Sequence, residues 1–302
     1  MFPRTFQLAL AGALICPSSL VAQMPAMRGM HHNTPVSAAA RRQIDSVVKA
    51  VVPLGLPGAA ANAGFRPAFG WIPTMGEHWV SRAQMVNGRQ TDRAKPSQLM
   101  FSTIAGKDSL VGAAYAYVTV VGDTVRPVLF DGAPPWHEHR DLAPEGMTLV
   151  MLHVWFVPSP DGPFAGTNPN LPFWALGLDA PSPSRMRDSA FRSRVYRASL
   201  ALAEVADTTS ILATLKSRPE VRAAIDAHRD TVRSLVTALR EAQKAKNTAR
   251  WDRTLEKTAR QWDAIQATYV SSARTTDGRR RIEQFIAMVL GQHTSTHGRD
   301  NH

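Results

Sequence analysis

The chain has a single cysteine, Cys16, among 302 residues. It lies in an N-terminal segment expected to be removed, so the working protein is expected to carry no thiol. That excludes disulfides, Cys-ligated zinc, iron–sulfur clusters and thiol catalysis. Long apolar runs are also missing. The strongest run after the N-terminus, 149–157, suits a strand and is far too short for a spanning helix. There is no Walker loop, no glycine-rich dinucleotide turn, no nucleophile elbow and no His-Glu-x-x-His helix. No repeat of solenoid period is visible.

What is present begins with an export pattern. Arg4 supplies a positive start, Leu8 to Ile15 an apolar run, and Leu20-Val21-Ala22 a small-residue end before Gln23. This predicts a signal peptide over 1–22, cleavage near Ala22 and a periplasmic or extracellular site of action. Leu14-Ile15 are not the small residues that a lipoprotein cysteine requires before it.

The net charge of +11 is unevenly spread. Residues 1–184 hold 13 Lys and Arg against 11 Asp and Glu; residues 185–302 hold 22 against 13. A basic half fits nucleic acid, anionic headgroups or an acidic protein. Export argues against nucleic acid, and the interspersed acids in Arg250-Trp251-Asp252-Arg253 read as a solvated helical surface. A protein partner or self-association through this half stays open.

Composition shifts divide the chain. After the signal peptide, 23–34 is a flexible leader rich in Met and His. An N-terminal helix follows, with Ile44, Val47, Val48, Val51 and Val52 at helical spacing. Together with a β-rich stretch it makes one domain over 35–180. Strands are expected at Gln98–Ile104, 110–121, 125–130 and 147–157, with Gly122-Asp123 turning a hairpin. Pro181-Ser182-Pro183-Ser184 reads as a linker. Residues 185–292 are helical in pattern, and 293–302 is a disordered tail containing His293, His297 and His302. Within the helical part, Val221, Ile225, His228, Val232, Leu235, Leu239 and Ala242 form one stripe. Trp251, Leu255, Trp262, Ile265 and Tyr269 form another, predicting an antiparallel hairpin. The fold class is therefore α+β: a small antiparallel β-domain, sandwich or partial barrel, followed by a helical hairpin or bundle.

Four histidines fall in the β-rich stretch: His78, His137, His139 and His153. His137 and His139 are two apart, so on an extended chain they share a face. In 147–157, one face carries Leu149, Met151, His153 and Trp155; the other carries Val150, Leu152, Val154 and Phe156 and must be core. A metal site needs three or four converging ligands. Without a thiolate, an all-imidazole set suits zinc or copper better than calcium or magnesium. The candidate ligands are His78, His137, His139 and His153. Glu77, Glu138, Trp79, Trp136 and Trp155 are candidates for the surrounding shell. Met24, Met27 and Met30, followed by His31-His32, are candidates for an auxiliary metal site, one that suits copper because thioethers are soft donors.

Two resemblances bear on this. Gly132, His137, His139 and Glu145 resemble the first motif of the cupin family, which implies a metal-dependent enzyme, with Glu138 or Glu145 as candidate base. The spacing departs from the cupin pattern, and the second cupin motif is not found. The strings Met75-Gly76-Glu77-His78-Trp79, Trp136-His137-Glu138-His139, Leu152-His153-Val154-Trp155 and Pro160-Asp161-Gly162-Pro163-Phe164-Ala165 resemble an uncharacterised group of exported bacterial proteins. That likeness implies only that the blocks act together.

The expectation is an exported protein binding copper or zinc through its histidine cluster. The alternatives are a cupin-like enzyme, or a metal-free protein binding a small ligand or partner, with structural histidines. The loop 158–172 is either a lid over the site or a proline-pinned connection.

Overall fold

The computed structural model describes residues 36–290, apart from 87–88, 90–91, 133 and 207–218. The expected signal peptide, the leader with Met24, Met27, Met30, His31 and His32, and the tail 293–302 lie outside the described residues.

Helix α1 (Ala38–Val51) starts where Ser37 caps it, its side chain accepting from the Ala40 N–H. Ala40, Ile44, Val47 and Val51 make its buried face. Pro53 has no N–H to continue the ladder, so the chain tightens into a 3-10 turn over Val52–Leu54. A short helix, α2 (Pro57–Asn62), leads to the sheet.

The sheet has six described strands: β1 (Arg66–Ile72), β2 (Gly76–Val80), β3 (Gln98–Ile104), β4 (Lys107–Val120), β5 (His137–His139) and β6 (Met147–Trp155). The order is β1-β2-β3-β4-β6-β5, antiparallel throughout. A short helix, α3 (Arg82–Val86), follows β2. The protein is thus α+β, as the sequence implies.

The expected strand over 125–130 does not form. Its carbonyls go to side chains instead of a ladder. Tyr117 Oη donates to Val125 O at 3.0 Å, Trp136 Nε1 to Pro127 O at 3.2 Å and Arg93 Nε to Leu129 O at 2.9 Å. Gly122-Asp123 turns the chain without a returning strand, Asp123 accepting from the Val125 N–H and from Thr119.

One face of the sheet packs on α1 through Leu99, Phe101, Tyr115, Leu152 and Val154. The opposite face carries Met100, Ala114, Ala116, Leu149, Met151 and Trp155. The segment 156–170 wraps the end of β6: Phe156 and Phe164 pack on the α1 side, and Val157 and Ala165 on the second face. The Trp155 N–H donates to Pro163 O at 2.7 Å and its indole Nε1 to Ala165 O at 2.7 Å. The buried Asn168 side chain donates to Pro158 O at 2.9 Å and accepts from the Asn170 N–H at 3.2 Å. The segment is pinned and largely buried, and at Ala165 and Gly166 it forms a roof over Trp155 and His153 on the histidine face.

The helical half comprises α4 (Leu171–Ala175), α5 (Ser189–Ala206), α6 (Pro219–Lys244), α7 (Thr248–Ser271) and α8 (Thr276–Val289). α6 and α7 form the expected hairpin. Lys246 takes a positive φ of 50° in the turn, and Asn247 caps α7 by accepting from the Arg250 N–H. Two positions depart from the expected stripe. Val236 is buried where Leu235 was expected. Arg229 is buried, whereas His228 is half-buried and meets Gln261 of α7 at 3.3 Å. No described helix is long and apolar enough to cross a membrane.

Candidate functional site

Strand register puts all four histidines on one face of the sheet. His153 pairs with Ala114, His137 with Met151, His139 with Leu149 and His78 with Met100. Across β3, β4 and β6, Met100 is opposite Gly112, and Gly112 opposite Trp155. The row His78–Met100–Gly112–Trp155 therefore crosses this face beside Ala114–His153.

β2 and β6 are three strand spacings apart, about 14 Å on a flat sheet. Yet His78 Nε2 and His153 Nε2 are 3.3 Å apart. Two features close the gap. Between the two strands the ladder has a register irregularity, in β3 against β4 at Met100 and Phe101, where a bulge increases local twist. The floor between the two rings is low, since β4 offers only Gly112, Ala114 and Ala116 on this face. At residue 112 a Cβ would collide with the Met100 methyl and lie 2.7 Å from Val154 O.

His153 is oriented by the roof. Its Nδ1 is 2.8 Å from Gly166 O. A carbonyl can only accept, so the proton is on Nδ1 and the Nε2 lone pair faces His78. His137 stands 5.0 Å from His153 between ring centroids, and His139 stands 4.9 Å from His137. His78, His139 and His153 are buried, while His137, on the edge strand, is half-buried. The rings thus run from the sheet edge into the interior.

Burial is the main reason that His78 loses basicity, its pKa being lowered to about 4; the nearby His139 adds to this. The Gly76 backbone opposes the shift but stands outside hydrogen-bond geometry, and the buried His78 Nδ1 has no hydrogen-bond partner. His153 is likewise pushed well below the ordinary value, first by burial, then by His137 and His78. Both rings are neutral at pH 7. Either tautomer of His78 leaves one buried nitrogen lone pair unmatched: on Nδ1 if Nε2–H donates to His153, or between the facing Nε2 atoms if it does not. Such a group costs roughly 1–3 kcal/mol.

The surrounding candidates separate by face. Trp155 lies on the histidine side, 6.0 Å from the His153 ring. Trp79 packs on Phe101 and donates to Glu77 Oε2 at 2.8 Å; Trp136 packs on Tyr117; all of these belong to the opposite face. Glu138 alternates away from His137 and His139 and pairs with Arg126, Nη2 to Oε1 at 2.6 Å. Glu145 is exposed in the turn before β6. The residues that sequence reasoning missed are Gly166, Gly112 and Met100. Gly166 acts through its backbone, which leaves no side-chain signal. For Gly112 and Met100 the signal was strand alternation across β3 and β4.

Among the described residues no three His, Cys, Asp or Glu side chains stand ready-made for a metal ion. The His78–His153 pair is at ligand spacing, with His137 beside His153 and His139 beside His137. No family model, curated protein or solved structure matches the chain.

Proposed function

We propose that this protein binds a transition metal ion, copper or zinc, with His78 and His153 as the central ligands and His137 and His139 completing the set. The carrying observation is the 3.3 Å separation of the two Nε2 atoms. Two nitrogens each about 2.0–2.1 Å from a tetrahedral ion lie about 3.3 Å apart. The same atoms are buried and neutral, the form that coordinates, and Gly166 O fixes the His153 tautomer as ligand histidines require. An ion between the rings supplies the charge that no tautomer of the pair provides. His137 joins by turning its side chain inward from the edge strand.

The enzyme reading gains little from the carboxylates. Glu138 is committed to Arg126, and Glu145 is exposed. The export pattern at 1–22 makes the compartment extracytoplasmic in this proposal, where imidazole is a more durable donor than thiol.

The test is elemental analysis of tag-free protein, followed by titration with Zn(II) and Cu(II) by calorimetry. One ion per chain, lost in His78→Ala and in His153→Ala, is expected. Absence of uptake of either metal by correctly folded protein sinks the proposal.

A further inference from the structure

The histidine face carries two buried thioethers that the metal reading above does not use. Met100 is fully buried and is the cross-strand partner of His78. Met151 is buried, lies two residues from His153 on the same face, and is the cross-strand partner of His137. Each methionine therefore sits beside one histidine in the register, on the side where the rings meet.

Met100 is also aimed inward. Its methyl occupies the place that a Cβ on residue 112 would take. Gly112 is the register partner of Trp155 and lies two residues from Ala114, the partner of His153. The Met100 side chain is thus laid over β4, between the strand of His78 and the strand of His153. A residue of any other type at 112 would push it out. The floor glycine makes room for a thioether on the face that carries the imidazoles.

We propose, building on the metal reading, that the site takes copper as Cu(I), with Met100 as a sulfur donor beside His78 and His153 and Met151 as a second sulfur on the His137 side. A thioether is a soft, neutral donor. It favours Cu(I) and adds little for Zn(II), which prefers imidazole, carboxylate or thiolate. No carboxylate is drawn into the set, since Glu77 and Glu138 face the other side, so every donor is neutral. A neutral set suits the lower-charged ion, because less uncompensated charge is carried into a buried site. The roof over Trp155 keeps water from the sulfur side, and the half-buried His137 at the sheet edge gives the ion its way in.

The experiment is an anaerobic competition of tag-free protein against bicinchoninate for Cu(I), with a parallel Zn(II) titration. Met100→Leu, Met151→Leu and His153→Ala are compared with the native chain. Leucine matches methionine in volume, so the fold is expected to persist, and circular dichroism checks that it does. The native chain is expected to bind one Cu(I). Met100→Leu should weaken Cu(I) by at least roughly 10–100-fold, the loss that changing even an outer-shell partner of a ligand brings, and leave Zn(II) within about twofold. X-ray absorption at the copper edge of the native chain should show sulfur beside nitrogen, a readout that needs no variant. Nitrogen-only scattering, or Cu(I) affinity unchanged in both methionine variants while His153→Ala abolishes it, overturns the thioether role and leaves the metal reading standing. Zinc uptake without Cu(I) uptake overturns it in the same way. Failure to bind either ion overturns the thioether role, and failure to bind Cu(II) as well overturns both.

Discussion

A buried neutral histidine takes up a proton when the chain unfolds, so each such ring ties stability to pH. His78 has a folded pKa of about 4 against an ordinary 6.5. Between these values the unfolded chain binds more protons, and stability falls as pH falls from 6.5 to 4. Below that window there is no further loss from this ring. A shift of this size is worth about 3 kcal/mol for His78, and His153 acts in the same direction. Urea unfolding of metal-free protein at pH 7.0, 5.5 and 4.5 is expected to trace this decline, and His78→Phe should flatten it. Stability unchanged across the window would show that the rings are not held neutral. Asp123, lowered to about 2 by Thr119 and Arg89, acts only below the ordinary carboxylate range and does not confuse the two windows. Alternation along an extended chain made the residue-scale features legible: His137 with His139, His153 opposite an aliphatic face, Glu138 turned away. The tautomer of His153 was not legible, because a backbone carbonyl sets it from the roof.

At the scale of elements, β4 carries the clearest constraint. Gly112 leaves space that Met100 fills, and a methyl there meets both that side chain and Val154 O. Gly112→Ala is expected to cost roughly 1–3 kcal/mol, the usual range for overpacking a filled site, in thermal or urea unfolding. It should also weaken metal binding by moving Met100. A neutral result would mean that the sheet relaxes there without strain. The helical half has its own buried anchor. Arg229 Nε donates to Glu204 O at 2.9 Å, and Tyr269 Oη to Glu204 Oε1 at 2.9 Å, joining α5, α6 and α7. Arg229 Nη2 also lies 3.7 Å from Glu204 Oε2, so Arg229→Ala should cost roughly 3–5 kcal/mol by removing the cation that faces this buried carboxylate; a loss below about 1 kcal/mol, as for exposed pairs, would refute the pairing. Apolar periodicity found the hairpin but placed His228 and Leu235 on the stripe in place of Arg229 and Val236. Periodicity sees hydrophobicity and cannot see that a guanidinium is buried when a partner helix brings a carboxylate to it. Nor could propensity foresee that 125–130, rich in valine, gives up its carbonyls to Tyr117, Trp136 and Arg93.

At the scale of the whole molecule, the site is wired to the helices through its roof and one hairpin turn. Thr74, between β1 and β2, sits at a positive φ of 64°, an uncommon conformation for a β-branched residue. It is held from two sides: its carbonyl accepts from the Asn168 N–H at 2.7 Å, and its hydroxyl donates to Val289 O of α8 at 2.8 Å. Tyr196 of α5 donates to Asp161 Oδ2 at 2.6 Å and meets Thr167, next to Gly166. The roof that orients His153 is therefore fastened to α5 and, through Thr74, to α8. An ion that binds only the folded sheet must then stabilise both halves. With copper or zinc about 100-fold above its dissociation constant, the gain is about 2.7 kcal/mol. For a chain of this size that raises the melting midpoint by roughly 4–5 °C. Far-ultraviolet circular dichroism, dominated by the helices, and tryptophan fluorescence, which follows Trp155 among others, should give one coincident transition, shifted together by metal. Tyr196→Phe should separate the two responses by loosening the roof: fluorescence would still shift, and the helical signal would shift less. If the native chain already melts in two steps, with metal moving only the fluorescence step, the roof does not couple the halves, and the helices fold independently of the site.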